Sequence, residues 1–430
     1  MVISEPSDRI SHLPIEVLDQ ILGRIPIREA VKTSILSTGW RYKWTEMTKL
    51  VFGEDSYPPN CHKLRHHKKL VNFVNCILHR HSDGVITHFG VDDFFQPCSD
   101  VDKWILLLSK KMVRNLNLTF GVKRYKVAAS LFACETLRSL KLQGCIVQRL
   151  PLQFKGFIHL AYLRLYRVKL TNEVLDGLLV KLPALYMLKV QYCDTLTQFR
   201  VNAPLTFRSF YFAGVCESIN LQNAPNLENL TLRQWSSWTL SRTLACRVDE
   251  ILQWLYPLRE IVIAHPFTEF TSVGTAPKRF EITFHYLVKM DFDVNFDDPK
   301  QIVAVLCLCR SSPRLRRLTI KDVHDTKPVL PYDENFWDAQ ILRKRDVFYC
   351  LKSVSIIEFK GAQHQMGFTR FILLKAVKLE SFSFKWFESN TMNNETKDSV
   401  TNEMMQFKKT SRKARVVSLS AMRNACILLF

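Results

Sequence analysis

The chain has 430 residues, 47% of them hydrophobic and 23% charged, and a formal net charge of +20 from 60 Lys and Arg against 40 Asp and Glu. That length predicts two or three globular domains with a large core. With no apolar run near about 18 residues and no basic-then-apolar leader, neither a membrane span nor a secretory signal is expected, and the expected location is cytoplasm and/or nucleus. The twelve cysteines are scattered rather than framework-spaced, and in a reducing compartment they read as small buried hydrophobes without disulfides.

The first ordered stretch is DRISHLPIEVLDQILGRIPIREAVKTSILSTGWRYKW, from Asp8 to Trp44. It predicts three short helices. Ser11 is placed as an N-cap, Pro14 fits the first helical turn, and Val17, Leu18, Ile21 and Leu22 recur on one face until Gly23. Pro26 opens a second helix carrying Ala30, Val31, Ser34 and Ile35 at helical spacing, and Trp40 and Trp44 stand four apart on a third. So small a bundle holds more apolar side chains than it can bury, which predicts docking onto another protein.

In these residues the chain resembles the F-box, in its plant variety. The resemblance rests on Leu13-Pro14, Val17-Leu18, Ile21-Leu22, Ile25-Pro26, Ala30-Val31 and the run TSILSTGWRYKW, about a tenth of the chain. Gly39 departs from it, standing where the family usually has a basic residue. The resemblance implies binding to a Skp-type adaptor that holds the cullin and RING subunits of an SCF ubiquitin ligase. Leu13 and Pro14 would anchor that adaptor, with Val17, Leu18, Ile21, Leu22, Ile25 and Ile35 supplying the apolar contact.

The segment from 51 to 84 reads as a polar linker followed by a capping helix with Leu70, Phe73, Val74, Ile77 and Leu78 on its apolar face. Cys61, His62, His66, His67, Cys76, His79 and His81 invite a zinc reading, but they lack CxxC or finger-like spacing, so no metal and no other cofactor is expected.

From Val113 one pattern returns eleven times, an apolar residue, two others, an apolar, one other, an apolar: VRNLNL, LRSLKL, LAYLRL, LYMLKV, FRSFYF, LENLTL, LREIVI, LVKMDF, LRRLTI, LKSVSI and LESFSF. The last two apolar positions, two apart, predict a strand with one buried face. The pattern resembles a leucine-rich repeat. Cys145 and Cys193 stand where that repeat calls for Asn or Cys to bond the turning backbone. Helical return legs are predicted at TNEVLDGLLVKL from 171, VDEILQWL from 248 and DPKQIVAVLCL from 298, with prolines such as Pro183 and Pro313 ahead of the next strand. The expected fold is α/β: a three-helix F-box followed by an irregular repeat solenoid, its curved parallel sheet backed by convex-side helices.

Strand positions between the inward apolar ones face the other way. They include Arg138, Lys141, Tyr162, Arg164, Tyr186, Lys189, Arg208, Tyr211, Arg233, Arg316, Arg317 and Lys321, a set rich in Arg, Lys and Tyr that predicts an acidic or phosphorylated target. The excess positive charge lies downstream of residue 55, because residues 1 to 55 hold seven bases against eight acids. It is spread without an aromatic-interleaved tract, so direct nucleic-acid binding is the lesser expectation.

From Cys350, the blocks CLKSVSIIEFKG, FTRFILLKAVKLESFSF and FKKTSRKARVV resemble the FBD region of plant F-box proteins and predict two strand units around a helix bearing Phe368, Phe371, Ile372 and Leu374. Between them ESNTMNNETKDSVTNEMMQ reads as polar and mobile. Lys408, Lys409, Arg412, Lys413 and Arg415 form a basic cluster, read as a solvated surface with nuclear import as its alternative. The last twelve residues end on an apolar run without a lipidation pattern.

The expected layout is therefore F-box at 5–50, linker and capping helix at 51–84, repeats at 85–349, FBD-like region at 350–418 and tail at 419–430. No phosphate-binding glycine loop, nucleophile elbow or HExxH motif occurs, so a non-catalytic subunit is expected. It would bring a target to a ubiquitin ligase through a Skp-type adaptor, without membrane association. The alternatives are a repeat scaffold outside any cullin complex and a basic nucleic-acid-binding solenoid.

Overall fold

The computed structural model describes residue 10 and residues 13–56, 67–81, 84–91, 96–121, 123–233, 252, 255–264, 282–323, 333, 335–343, 347–388 and 393–419. It divides into two compact units, Met1–Phe207 and Arg208–Phe430.

The first unit begins with helices α1 (Ile15–Leu22) and α2 (Ile27–Lys32), then single turns at Thr33–Ile35 and Lys43–Glu46. Pro14 is the residue before the first turn of α1, with extended backbone, and its carbonyl accepts from the amides of Val17 and Leu18. The expected cap Ser11 lies outside the described residues. α1 ends at Gly23, whose amide donates to the Asp19 carbonyl at 2.8 Å and where a Cβ would stand 2.9 Å from that oxygen. Leu18, Leu22, Ile27, Ala30, Trp40, Trp44 and Met47 are buried. The expected third helix is therefore the single turn Lys43–Glu46 beside the buried indoles of Trp40 and Trp44, and Ser34 and Ile35, expected on the second helix, fall in the turn Thr33–Ile35.

Six parallel strands follow, each paired to the next: β1 (Lys49–Phe52), β2 (His88–Val91), β3 (Asn115–Thr119), β4 (Ser139–Gln143), β5 (Tyr162–Tyr166) and β6 (Met187–Gln191). The sheet thus starts at Lys49, within three residues of the last F-box turn. Met47, Leu50 and Phe52, like Ile86, Phe89 and Val91, have the repeat spacing and are buried; phenylalanine, methionine and a strand glycine, Gly90, disguise them in a leucine-based reading. Asp19 on α1 joins the two parts, its carboxylate accepting from Thr48 N at 2.8 Å and from Thr48 Oγ1 at 2.7 Å. The capping helix is α3 (His67–Arg80), with Leu70, Val74, Ile77 and Leu78 buried and Phe73 edge-on to Phe52 at 5.9 Å. It packs with α4 (Ser99–Lys110), where Trp104 Nε1 donates to Asn75 Oδ1 at 2.6 Å.

The second unit repeats the arrangement with eight parallel strands: β7 (Ser209–Ala213), β8 (Asn229–Arg233), β9 (Glu260–Ile263), β10 (Lys289–Val294), β11 (Arg317–Asp322), β12 (Ser353–Phe359), β13 (Ser381–Trp386) and β14 (Arg415–Ser418). In all eleven predicted copies the three apolar residues are buried, as with Leu137, Leu140 and Leu142 or Leu379, Phe382 and Phe384. Such a core is additive, since every fully buried side chain of this size contributes about 1.5–3 kcal/mol and each strand touches only its neighbours.

The return legs correct the expectation that helix and strand alternate. Helices form at α5 (Asn172–Leu179), capped by Thr171, at α6 (Pro299–Arg310), capped by Asp298, at α7 (Phe336–Leu342) and at α8 (Gln363–Lys375). Other described legs are turns or two- and three-residue strands, such as Tyr125–Lys126 paired with Cys145–Ile146. Legs this short have too few residues for a stable helix. The helix expected from 248 lies outside the described residues except for Leu252 and Leu255, which are buried. The polar stretch read as mobile is instead helix α9 (Asn394–Gln406), capped by Asn393, whose Oδ1 accepts from Thr396 N at 2.8 Å. Only Met404 of α9 is buried, so it has no apolar stripe for periodicity to detect, and its cap and helix-forming residues carry it.

Candidate functional site

Two surfaces of the first unit stand out, and both follow from where the repeat and helix periods leave side chains. On the N-terminal helices the core is closed by the residues above, yet Val17 (38% exposed), Ile21 (42%), Ile25 (38%) and Ile35 (86%) remain open, beside Ile15, Leu36 and Tyr42. The expected adaptor set is thus split. Leu18 and Leu22, 1% and 2% exposed, serve the internal core, Leu13 is half-buried, and Pro14 is exposed at the start of α1. At 3.6 residues per turn Leu18 and Leu22 form a stripe beside that of Val17 and Ile21, turned about 100° from it, and only the first is turned inward. Ile15, Leu36 and Tyr42 were missed, because only burial distinguishes an apolar residue that closes a core from one left over.

The second surface is the outward side of the sheet. Pairing aligns Asn117 with Lys141, Lys141 with Arg164 and Arg164 with Lys189, making one row across β3 to β6. A parallel row aligns Ser139, Tyr162 and Met187. Tyr162 and Tyr186 rings lie 5.9 Å apart, and the Arg164 guanidinium stands 5.9 Å from the centre of the Tyr162 ring. Arg138 is exposed just ahead of β4. Lys49 and Arg114 also border this side: with burial, the larger cause, they hold the His88 imidazole below its ordinary value, against a smaller opposite effect of Asp19.

The remaining predicted contacts, Arg208, Tyr211, Arg233, Arg316, Arg317 and Lys321, lie in the second unit, with Tyr211 aligned to Thr231, Ala213 to Arg233, Lys289 to Arg317 and Asp293 to Lys321. Arg208 is committed to an ion pair: Glu228 bridges Arg208 at 3.3 Å and Arg259 at 3.1 Å. The same side carries Lys289 between Glu260 at 3.4 Å and Asp291 at 3.5 Å, and Lys352 paired with Glu380 at 2.7 Å.

The two cysteines at the repeat turns behave as structural residues, whereas Cys76, expected to be buried, is exposed. Cys145 Sγ donates to Gln143 O at 3.4 Å and Cys193 Sγ to Gln191 O at 3.5 Å, the turn role assigned to them by the repeat pattern. Burial pushes the Cys145 thiol up to about 12 and the Cys193 thiol up to about 11, so neither is a thiolate nucleophile at neutral pH. Of the residues weighed for zinc, Cys61, His62 and His66 lie outside the described residues. His81 is buried with Nε2 2.8 Å from Met47 O, and His67 Nδ1 accepts from Gln96 N. Among the described residues no group of His, Cys, Asp and Glu could hold a metal ion, and no helix is long and apolar enough to cross a membrane.

An α-helical head with surplus apolar surface, followed by parallel repeat strands, defines an F-box protein with leucine-rich repeats. The comparisons give the same class: residues 10–51 match the F-box domain model, and residues 101–320 match the model described as the LRR repeats of FBD-associated F-box protein At5g56370. F-box/FBD/LRR-repeat protein At1g13570 of Arabidopsis thaliana is 30% identical over 428 residues, covering 97% of this chain and 100% of the relative. FBD-associated F-box protein At5g56370 of the same plant is 25% identical over 403 residues, 88% of this chain and 90% of its own length. F-box/LRR-repeat protein 13, also from Arabidopsis thaliana, is 27% identical over 248 residues, about half of each chain. The chain belongs to the plant F-box/FBD/LRR-repeat family. F-box domains in general bind Skp-type adaptors and leucine-rich repeats in general bind targets, which makes a non-catalytic substrate adaptor the role of the class.

Proposed function

We propose that this chain is the substrate-recognition subunit of an SCF-type ubiquitin ligase, holding a Skp-type adaptor with its N-terminal helices and a target protein with its repeats. The observation that carries the reading is the exposed set Val17, Ile21, Ile25 and Ile35 on a module whose own core is already closed by Leu18, Leu22, Trp40 and Trp44. Burying Ile35, which is almost fully exposed, is worth about 1.5–3 kcal/mol, and the open two-fifths of Val17, Ile21 and Ile25 add about 0.6–1.2 kcal/mol each before association costs. Leu13 and Pro14 would set the edge of that contact. The chain's contribution to ubiquitin transfer is proximity: it supplies no reacting group and holds the target beside a ubiquitin carrier bound elsewhere. Such a complex would work in the cytoplasm and/or nucleus.

The test is co-expression of the full chain with a plant Skp-type adaptor and cullin, followed by affinity purification. Leu13→Ala with Pro14→Ala, and separately Ile21→Asp with Ile35→Asp, should each lose the adaptor while the thermal midpoint stays near wild type. Adaptor retained by both variants would sink the reading, and adaptor captured without cullin would leave a repeat scaffold in its place.

A further inference from the structure

Charge is distributed very differently on the outward sides of the two units. Outward strand positions in the first unit include Lys49, His88, Asn115, Asn117, Ser139, Lys141, Gln143, Tyr162, Arg164, Tyr166, Met187, Lys189 and Gln191, and none is acidic. In the second unit Glu260, Asp291 and Asp293 share that side with its bases. Like charges side by side in adjacent strands favour the approach of an anion. Lys141, Arg164 and Lys189 occupy neighbouring strands spaced about 4.8 Å apart, so the row spans about 10 Å, the reach of three residues of an extended chain.

We propose that the outward side of the first unit binds an Asp- and Glu-rich segment of a partner protein, laid across β4 to β6, with Lys141, Arg164 and Lys189 meeting its carboxylates and Tyr162 and Tyr186 packing beside it. This deepens the target-binding half of the proposed function and is independent of the adaptor. Arg164 offers a planar fork that accepts a carboxylate bidentately, and the tyrosine pair adds rigid contact area at little entropic cost. A nucleic acid fits less well. Its interfaces commonly neutralise roughly six to ten phosphates, whereas the strand positions directly flanking the row, Ser139, Gln143, Met187 and Gln191, carry no charge, and the further bases on this side, Lys49, Arg114 and Arg138, stand off the row.

The test uses the full chain and a fluorescein-labelled dodecapeptide of alternating Asp and Ala, followed by fluorescence anisotropy at low salt and at about 0.3 M salt. Wild type should bind, more weakly at the higher salt. Reversing the row, Lys141→Glu with Arg164→Glu and Lys189→Glu, should weaken binding at least about thirtyfold. Reversing three bases of the second unit, Lys352→Glu with Lys385→Glu and Arg415→Glu, makes the same change in net charge and should leave Kd within about twofold. The proposal is overturned if wild type does not bind, if the row reversal stays within twofold of wild type, or if both triple variants weaken alike. It is also overturned if a twelve-nucleotide oligothymidylate binds more tightly than the peptide. Adaptor capture, measured on the same variants, separates the two readings: peptide binding without adaptor capture breaks only the ligase assignment, and adaptor capture without peptide binding breaks only this one.

Discussion

The two units have the same backbone repeat and the same kind of core, and they differ in what their outward strand positions do with charge. In the second unit several outward bases meet acids of the same sheet, so that Glu228 serves two arginines and Lys289 two carboxylates. The first unit sets Lys141, Arg164 and Lys189 side by side. Because inward positions alone determine whether a repeat stacks, outward positions are free to diverge. A repeat protein therefore separates a part that only has to fold from a part that has to recognise, within one architecture.

The largest effect that would sharpen this contrast is a lesion confined to the second unit. Gly367 lies within α8, and a Cβ there would stand 2.3 Å from Cδ1 of Trp337 on α7. Gly367→Ala must push that indole away, since the Trp337 ring also packs against Phe368 and Phe371 at 6.1 and 6.3 Å. A loss of about 1–3 kcal/mol in urea unfolding, with a red shift in tryptophan emission and adaptor capture preserved, is the expected outcome. An unchanged midpoint would mean that α7 does not dock on α8 as described.

A smaller change makes the second unit resemble the first. Glu228→Gln leaves Arg208 and Arg259 without their shared carboxylate, and because the ion pair is solvent-accessible it should cost no more than about 1 kcal/mol. Placed in the background of the reversed row, it should recover acidic-peptide binding by a factor of about two to three, read by the same anisotropy titration. No recovery would show that position along the sheet, not local charge, makes the first unit distinctive.

The smallest effect is in pH. His88 is held below its ordinary value by burial and by Lys49 and Arg114, so the unfolded chain takes up a proton before the folded one does. As pH falls through the ordinary imidazole range, the stability of the first unit should decline by this contribution. His88→Asn should flatten that slope in thermal melts collected across the range, and a slope unaltered by the substitution would remove the basic field from the argument.

Much of this was legible before the structure. Eleven repeats announced themselves because Leu, Ile and Phe at fixed spacing are what a stacked strand must bury, and all of them are buried. The strands at Lys49–Phe52, His88–Val91 and Arg415–Ser418 were not seen. The first two hide the period under Met, Phe and Gly. In the last, Lys413, Val416 and Ser418 stand where the pattern asks for three apolar residues, so only pairing to its neighbour makes it a strand. Helix α9 was read as mobile for a similar reason, since a cap and a single buried methionine leave no period.

Local chemistry in the sequence determined the helical head, its apolar surplus, the strand period and the basic balance, because each depends on residue type and spacing along the chain. Only the tertiary structure decided which apolar side chains of the head are surplus, placing Leu18 and Leu22 inward and Val17, Ile21 and Ile35 outward. It alone also gathered Lys141, Arg164 and Lys189 into one row while pairing Arg208 with Glu228. Burial and cross-strand register arise from contacts between residues far apart in the chain, and spacing along the chain does not record them.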